Sequence, residues 1–188
     1  MTDATNVSYA KPAVGGAIYA APAGTTLPTD ATTTLASTYK SLGFVSEDGV
    51  TNANSPETEV INAWGGAPVL TVQTGRPDSF KFTLIEMTNV EVLKLVYGAD
   101  NVTGTALSSG IKVSAGAGQL DPVVLVIDMV LKNALKRIVI PVATVADVGE
   151  IAYVDNDAVG FETTVSATAD ASGYTHYEYM KTPPVPAG

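Results

Sequence analysis

The chain has 188 residues, 46% hydrophobic and only 15% charged, with 19 acidic against 10 basic side chains and a net charge of −9. That length suits one domain with a sizeable core, and the acidic balance excludes nucleic-acid binding by phosphate neutralisation, which needs clustered Lys and Arg. The absence of cysteine excludes disulfides, thiolate metal sites and cysteine nucleophiles. A charged fraction well below the roughly 25% usual for soluble domains predicts that much of the surface meets other protein. The polar start MTDATNVSYAKP lacks a basic segment followed by an apolar one, so no secretory signal is read there and folding in a cytoplasm is expected. The longest apolar run, Val123 to Val130, is interrupted by Asp128 and is too short to span a bilayer; no membrane binding is expected.

Residues 1–38 read as an N-terminal arm. Pro12, Pro22, Pro28, Gly15-Gly16 and the Thr-rich stretch Thr25 to Thr38 oppose helix, with one short strand around Ala17–Ala20. Residues 39–46 read as a strand. Segment 46–69 reads as a long loop, polar from Glu47 to Pro56 and broken again at Gly65-Gly66. Ile61 and Trp64 inside it predict that part of the loop docks on something. Val69–Thr74 and Ser79–Ile85 read as strands joined by the turn Gly75-Arg76-Pro77-Asp78. Phe80, Phe82 and Leu84 alternate with Lys81, Thr83 and Ile85, which marks one buried face.

Thr88-Asn89-Val90-Glu91 fits a capping box with Thr88 as N-cap and Glu91 reaching back. The pairs Val92/Val96 and Leu93/Tyr97 follow at i, i+4, and Gly98 is a natural stop. This is the one predicted helix. Lys112–Ser114 reads as a weak strand. Val123–Lys132 and Lys136–Pro141 are rich in β-branched residues and read as a hairpin. The near-absence of alternation in Val123–Val130 predicts burial on both faces. Ile151–Val154 and Val159–Thr168 read as strands flanking an Asp155-Asn156-Asp157 hairpin turn. Tyr174–Lys181 is the last predicted strand, and the prolines from Pro183 to Pro186 end it, leaving residues 182–188 as a C-terminal tail. The expected fold is mainly β in a single domain: a β-sandwich or barrel with one short flanking α-helix, an extended loop and terminal arms.

No constellation of catalytic residues emerges. His176 is the single histidine, and no nucleophile and orienting acid are marked for it; an aromatic strand position among Tyr174, Tyr177 and Tyr179 is the simpler reading. One histidine and no cysteine argue against a transition-metal site. Asp155-Asn156-Asp157 with Glu162, and Asp48 to Asn52, superficially resemble calcium loops but miss the alternate spacing of an EF-hand. The Gly pairs lack the Lys-Ser/Thr ending of a phosphate loop. Glu57 and Glu59 read as ordinary exposed acids of a polar segment. Neither an enzyme nor a cofactor is expected.

Several segments taken in order resemble the major tail tube protein of long, non-contractile-tailed bacteriophages. They are Gly43 to Val50 with Asn54 to Glu59 and Ala63 to Gly66; Lys81 to Glu86 running into Asn89–Gly98; and Arg137–Pro141 with Val148 to Ile151, Gly160 to Thr164 and Asp170 to Tyr174. The resemblance implies a β-sandwich subunit that stacks as hexameric rings around an inner barrel, forming a conduit for DNA ejection into a host. It implies that segment 46–69 bridges subunits, with Glu57, Ile61 and Trp64 as its contact residues. Its implied partners are further copies of the chain, a tape-measure protein, and tail-tip (initiator) and tail-terminator proteins. DNA is non-specific cargo, and the implied location is the virion tail, after assembly in the host cytoplasm. An acidic chain suits a lumen that must not hold a polyanion, and Asp128, Glu150, Asp155, Asp157 and Glu162 are the candidate lumen acids. The rival expectations are an adhesin-type, immunoglobulin-like binding module and another virion part such as a tail terminator.

Overall fold

The computed structural model describes residues 2–13 and 16–183. Its strands are β1 (Ala10–Pro12), β2 (Ile18–Pro22), β3 (Lys40–Ser41), β4 (Val45–Asn54), β5 (Glu57–Asn62), β6 (Pro68–Gly75) and β7 (Asp78–Leu84). Helix α1 (Val90–Tyr97) separates these from β8 (Val102–Thr103), β9 (Lys112–Val113), β10 (Val123–Leu131), β11 (Leu135–Val148), β12 (Phe161–Ala167) and β13 (Tyr177–Lys181). Nine strands form one sheet in the order β3-β2-β10-β11-β12-β7-β4, with β1 pairing on β10 and β13 on β11. All these pairs are antiparallel. The fold is mainly β with one helix, as the patterning predicts.

The sheet buries both faces, and its central strand shows why. Leu125 and Ile127 of β10 point into the main core with Ile18, Phe80, Phe82, Leu84, Phe161 and the α1 residues Val92, Leu93, Leu95 and Val96. Val124 and Val126 point the other way, into a smaller cluster with Ala21, Tyr39 and Val139, covered by Leu27 and Leu35. Successive side chains of a strand alternate faces, so a strand covered on both sides carries no polar alternation. Residues from strands several places apart meet in the main core, so the sheet bends around it and α1 closes one side.

Much of the N-terminal region predicted as an arm belongs to the body. β2 runs through the main sheet against β10, and the 27–39 stretch covers its second face through Leu27, Leu35 and Tyr39. Proline and threonine do oppose helix here, but they permit a strand and a close-fitting loop. The strand predicted over 39–46 is interrupted between Ser41 and Val45. Gly43 adopts φ +74°, and a Cβ there would fall 2.0 Å from the Glu86 carboxyl carbon, so the chain turns where only glycine lets that carboxylate approach.

The helix starts one residue later than predicted. Asn89, not Thr88, is the N-cap; its side-chain oxygen accepts from the Glu91 amide at 3.0 Å. Glu91 does not reach back, and instead pairs with Lys94 at 2.9 Å. Gly98 ends the helix, as expected.

Three connections differ from the sequence reading. Segment 46–69 is not a loop: it contains most of β4, all of β5 and the start of β6, and β5 and β6 form a separate two-stranded sheet. β6 and β7 are strands, as predicted, but do not pair; β6 pairs with β5, and β7 lies between β4 and β12. Ile151–Val154 is not a strand, and Asp155-Asn156-Asp157 is a bend inside the irregular 149–160 connection from β11 to β12. The hairpin partner of β12 is the distal part of β11, which continues past the predicted Pro141 to Val148. The final strand begins at Tyr177 rather than Tyr174. Of the predicted tail, residues 184–188 lie outside the described residues.

Candidate functional site

The β5–β6 hairpin stands apart from the body. Its strands pair only with each other, and every residue from Glu57 to Thr74 is exposed. Its tip is a tight turn, with the Ala63 amide donating to the Ala67 carbonyl at 2.8 Å and the Gly66 amide to the Ala63 carbonyl at 2.9 Å. Gly65 and Gly66 both have positive φ there, which a side chain would oppose. Along this arm Val60, Ile61, Val69, Leu70 and Val72 are exposed, and Trp64 at the tip is fully so. A two-stranded ribbon is marginal in water without a covering partner, and exposed apolar surface of this kind is what contact sites for proteins, membranes or ligands are built from.

Glu57, Ile61 and Trp64 thus share one element: Glu57 at its root, Ile61 midway, Trp64 at its tip. Glu57 and Gly75 pair at the root of the ribbon, and the Thr74 hydroxyl donates to the Glu57 carbonyl at 3.4 Å. Two short connections, Ser55-Pro56 and Arg76-Pro77, carry the arm from β4 and back to β7. Arg76 Nε donates to Asn54 Oδ1 across them.

A buried carboxylate sits where the arm rejoins the body. Asp78, the first residue of β7, is only 2% exposed. Its Oδ1 accepts from Asn52 Nδ2 of β4 at 2.7 Å. Its Oδ2 accepts from Thr175 Oγ1 and from His176 Nδ1, both at 2.6 Å. Burial alone raises the Asp78 carboxyl, but the hydrogen bonds from Thr175, Asn52 and His176 outweigh it and hold the group below the ordinary aspartate value. The His176 ring meets Phe80 edge-on with centroids 5.3 Å apart. His176 is thus not an aromatic strand position, as the pattern of Tyr174, Tyr177 and Tyr179 predicts, but lies just before β13 and reaches β7. A sequence scan misses this cluster because residues 52, 78 and 175–176 come together only through the sheet.

The acids singled out for a lumen divide into two groups. Asp128 lies opposite Arg137 in the β10–β11 register and accepts a bidentate pair, Nε to Oδ1 at 2.7 Å and Nη2 to Oδ2 at 2.8 Å. Glu162 pairs with Lys81 at 2.9 Å on the outer face of β12 and β7. Glu150, Asp155 and Asp157 are exposed along the 149–160 connection and have no ion-pair partner among the described residues.

The family profile described as phage tail tube protein matches residues 3–187. No curated protein matches the chain.

Proposed function

Since the chain belongs to the phage tail tube protein family, a structural family of the virion tail whose members assemble into a tube, we propose that the β5–β6 arm is the element by which one subunit grips the next. The carrying observation is the ribbon itself: two strands, solvent on both faces, bearing Val60, Ile61, Trp64, Val69, Leu70 and Val72. A monomer gains nothing from exposing these side chains. Buried at the centre of an interface, an aromatic anchor such as Trp64 carries a large share of the binding energy, while the aliphatic side chains around it exclude water. The contact is heterologous, arm on one copy and receiving surface on another, and such a contact closes into rings or extends into a fibre rather than stopping at a dimer.

In the finer form of this reading the subunits make stacked hexameric rings of a long, non-contractile tail, assembled in the host cytoplasm around a tape-measure protein. Tail-tip and tail-terminator proteins bound the tube, and DNA passes through it as cargo during ejection. The protein acts by assembling and catalyses nothing. Glu150, Asp155 and Asp157 supply candidate lumen charge that denies the polyanion a resting place. Asp128 and Glu162 contribute less to such a field, because Arg137 and Lys81 neutralise them in the subunit.

Electron microscopy of the purified chain tests the reading. Hollow tubes or stacked rings of uniform diameter are expected, at high concentration or with the tail-tip initiator. Replacing residues 59–72, a cross-strand pair and everything beyond it, by a two-residue turn should leave a folded monomer that does not polymerise. An arm-shortened chain that still makes tubes refutes the arm as the gripping element. A full-length chain that stays monomeric with initiator present refutes tube assembly through this subunit. Reversing Glu150, Asp155 and Asp157 to lysine should spare tubes and slow ejection; unchanged ejection removes the electrostatic role.

A further inference from the structure

We propose that Asp78 is the node that sets the angle of the β5–β6 arm on the subunit body, by tying both of the arm's stalks to the segment that precedes β13. The inference rests on the arm being the gripping element and concerns how that element is aimed. A ribbon joined to a body by two short connections is free to swing unless its root is fixed. Here Pro56 and Pro77 restrict one residue in each connection, and Arg76 bridges to Asn54 across them. Main-chain pairing joins β4 to β7 as far as Asn54 and Asp78, and the Asp78 side chain ties that junction to a third segment.

The node joins three chain segments through one carboxylate. Asn52 holds the outgoing stalk, since its amide nitrogen donates to Asp78 Oδ1 and also, at 3.1 Å, to the Ser79 carbonyl. Asp78 itself begins the returning stalk. Thr175 and His176 clamp it from a segment 97 and 98 residues away in sequence. That segment is itself anchored at both ends. On one side Asp170 accepts from the Ser172 and Tyr174 amides at 2.8 and 3.2 Å and from the Tyr177 hydroxyl at 2.7 Å. On the other, β13 pairs with β11. The arm's root is therefore referenced to the centre of the sheet through the C-terminal strand. A buried carboxylate whose oxygens all accept from fixed donors has little freedom, and polar networks of this kind specify one arrangement over its neighbours. An arm aimed in advance loses less conformational freedom when it meets its partner.

Aspartate is needed rather than asparagine, because both oxygens accept. With an amide oxygen at Oδ2 the nitrogen would face the Asn52 donor, and with the nitrogen at Oδ2 it would face Thr175 and His176. Asp78→Asn is therefore the informative substitution, and the absence of cysteine from the chain makes a distance measurement clean. Cysteines introduced at Ala67 on the arm and Thr168 on the body, both exposed, carry a spin-label pair. The parent should give one narrow distance distribution. Asp78→Asn should broaden it, and should raise the critical concentration for tube formation on the order of tenfold, as loss of preorganisation does. If Asp78→Asn does not fold, Thr175→Val with His176→Gln, which leaves Asn52 on the carboxylate, should show the same broadening.

A narrow, parent-like distribution in the folded variant overturns the node. Broadening with unchanged polymerisation overturns its role in assembly while leaving it as the root fastening. The chain shortened in the arm separates the two ideas: if that chain polymerises normally the arm reading fails, whatever the spin labels show. If it does not polymerise and Asp78→Asn does so like the parent, only the aiming role is lost.

Discussion

Arg137 and Asp128 face each other across the β10–β11 hairpin, and together they fasten the N-terminal region to the sheet. Arg137, 4% exposed, gives Nε and Nη2 to the Asp128 carboxylate and Nη1 to the backbone carbonyls of Asp30 and Thr33 at 3.1 and 2.9 Å. The 30–33 turn is itself held by Asp30, which accepts from the Thr32 and Thr33 amides at 2.6 Å each. Hydrogen bonds from the Thr33 hydroxyl and amide and the Thr32 amide keep Asp30 well below the usual carboxylate range. Asp128 breaks the apolar run of its strand because it holds this arginine.

Removing the guanidinium should therefore cost more than an ordinary surface ion pair. Arg137→Ala leaves Asp128 half-buried without a partner and strips two carbonyls of their donor, a loss of about 3–5 kcal/mol. Arg137→Lys keeps the charge but cannot span both carboxylate oxygens and the two carbonyls, so it should recover only part of that. Denaturant unfolding of the three proteins measures both. A cost near that of an exposed pair, below about 1 kcal/mol, would show that the turn at Asp30 does not depend on the arginine.

At Gly43 the backbone φ of +74° and the Glu86 carboxylate act together. Glu86 accepts from the Phe44 amide at 3.0 Å and from Asn89 Nδ2 at 3.0 Å, which joins the start of β4 to the N-cap of α1. Gly43→Ala pays for a left-handed backbone, about 1–2 kcal/mol, and also drives Glu86 off that seat. A thermal melt should fall further for Gly43→Ala than for Gly24→Ala. Gly24 also has positive φ, but a Cβ there meets nothing within 4 Å, so it isolates the backbone cost. Equal losses would show that Glu86 moves aside freely.

The sequence displays the buried half of this protein far better than the exposed half. The β10–β11 hairpin is legible because a run such as Val123–Val130, unbroken but for Asp128, has few other stable placements. β7 is legible because Phe80, Phe82 and Leu84 share one buried face. The arm's first strand, β5, is illegible for the opposite physical reason: with solvent on both faces, Glu57–Asn62 carries no period to read, and its Asn, Ser and Thr neighbours imitate a loop. Trp64 still betrays it, as a large aromatic with nothing to cover it. The helix start is missed by one residue, since Thr88 and Asn89 are both competent caps and only the placement of Glu86 and Ser41 around Asn89 decides. The Asp78 cluster depends on contacts between residues about a hundred positions apart, and local pattern contains none of that.

Trp64 should separate folding from assembly. Its side chain touches no core, so Trp64→Ala should leave the monomer's stability within about 0.5 kcal/mol, as is usual for surface substitutions. Truncating a central interface aromatic costs about 2 kcal/mol or more of binding, so the same variant should polymerise only at a markedly higher concentration. Light scattering against concentration, beside a denaturant curve of the monomer, reads both quantities. A destabilised monomer with normal polymerisation would place Trp64 against its own subunit.

Acid should act on the subunit through Asp78. Its carboxyl lies below the ordinary aspartate value of 3.8 in the folded chain, so the folded state holds that proton less tightly than the unfolded state does. The contribution is therefore complete above about that ordinary value and is lost as pH falls through the lower folded one. Asp78→Asn removes the group that titrates. At neutral pH the variant should be less stable than the parent, and the gap should narrow as pH drops below the ordinary aspartate range. Denaturant midpoints for parent and variant from pH 7 down to the onset of acid unfolding test the sign. A gap that stays constant through that window means the carboxylate is not the acid-sensitive fastening, and a gap that widens reverses the linkage argued for it.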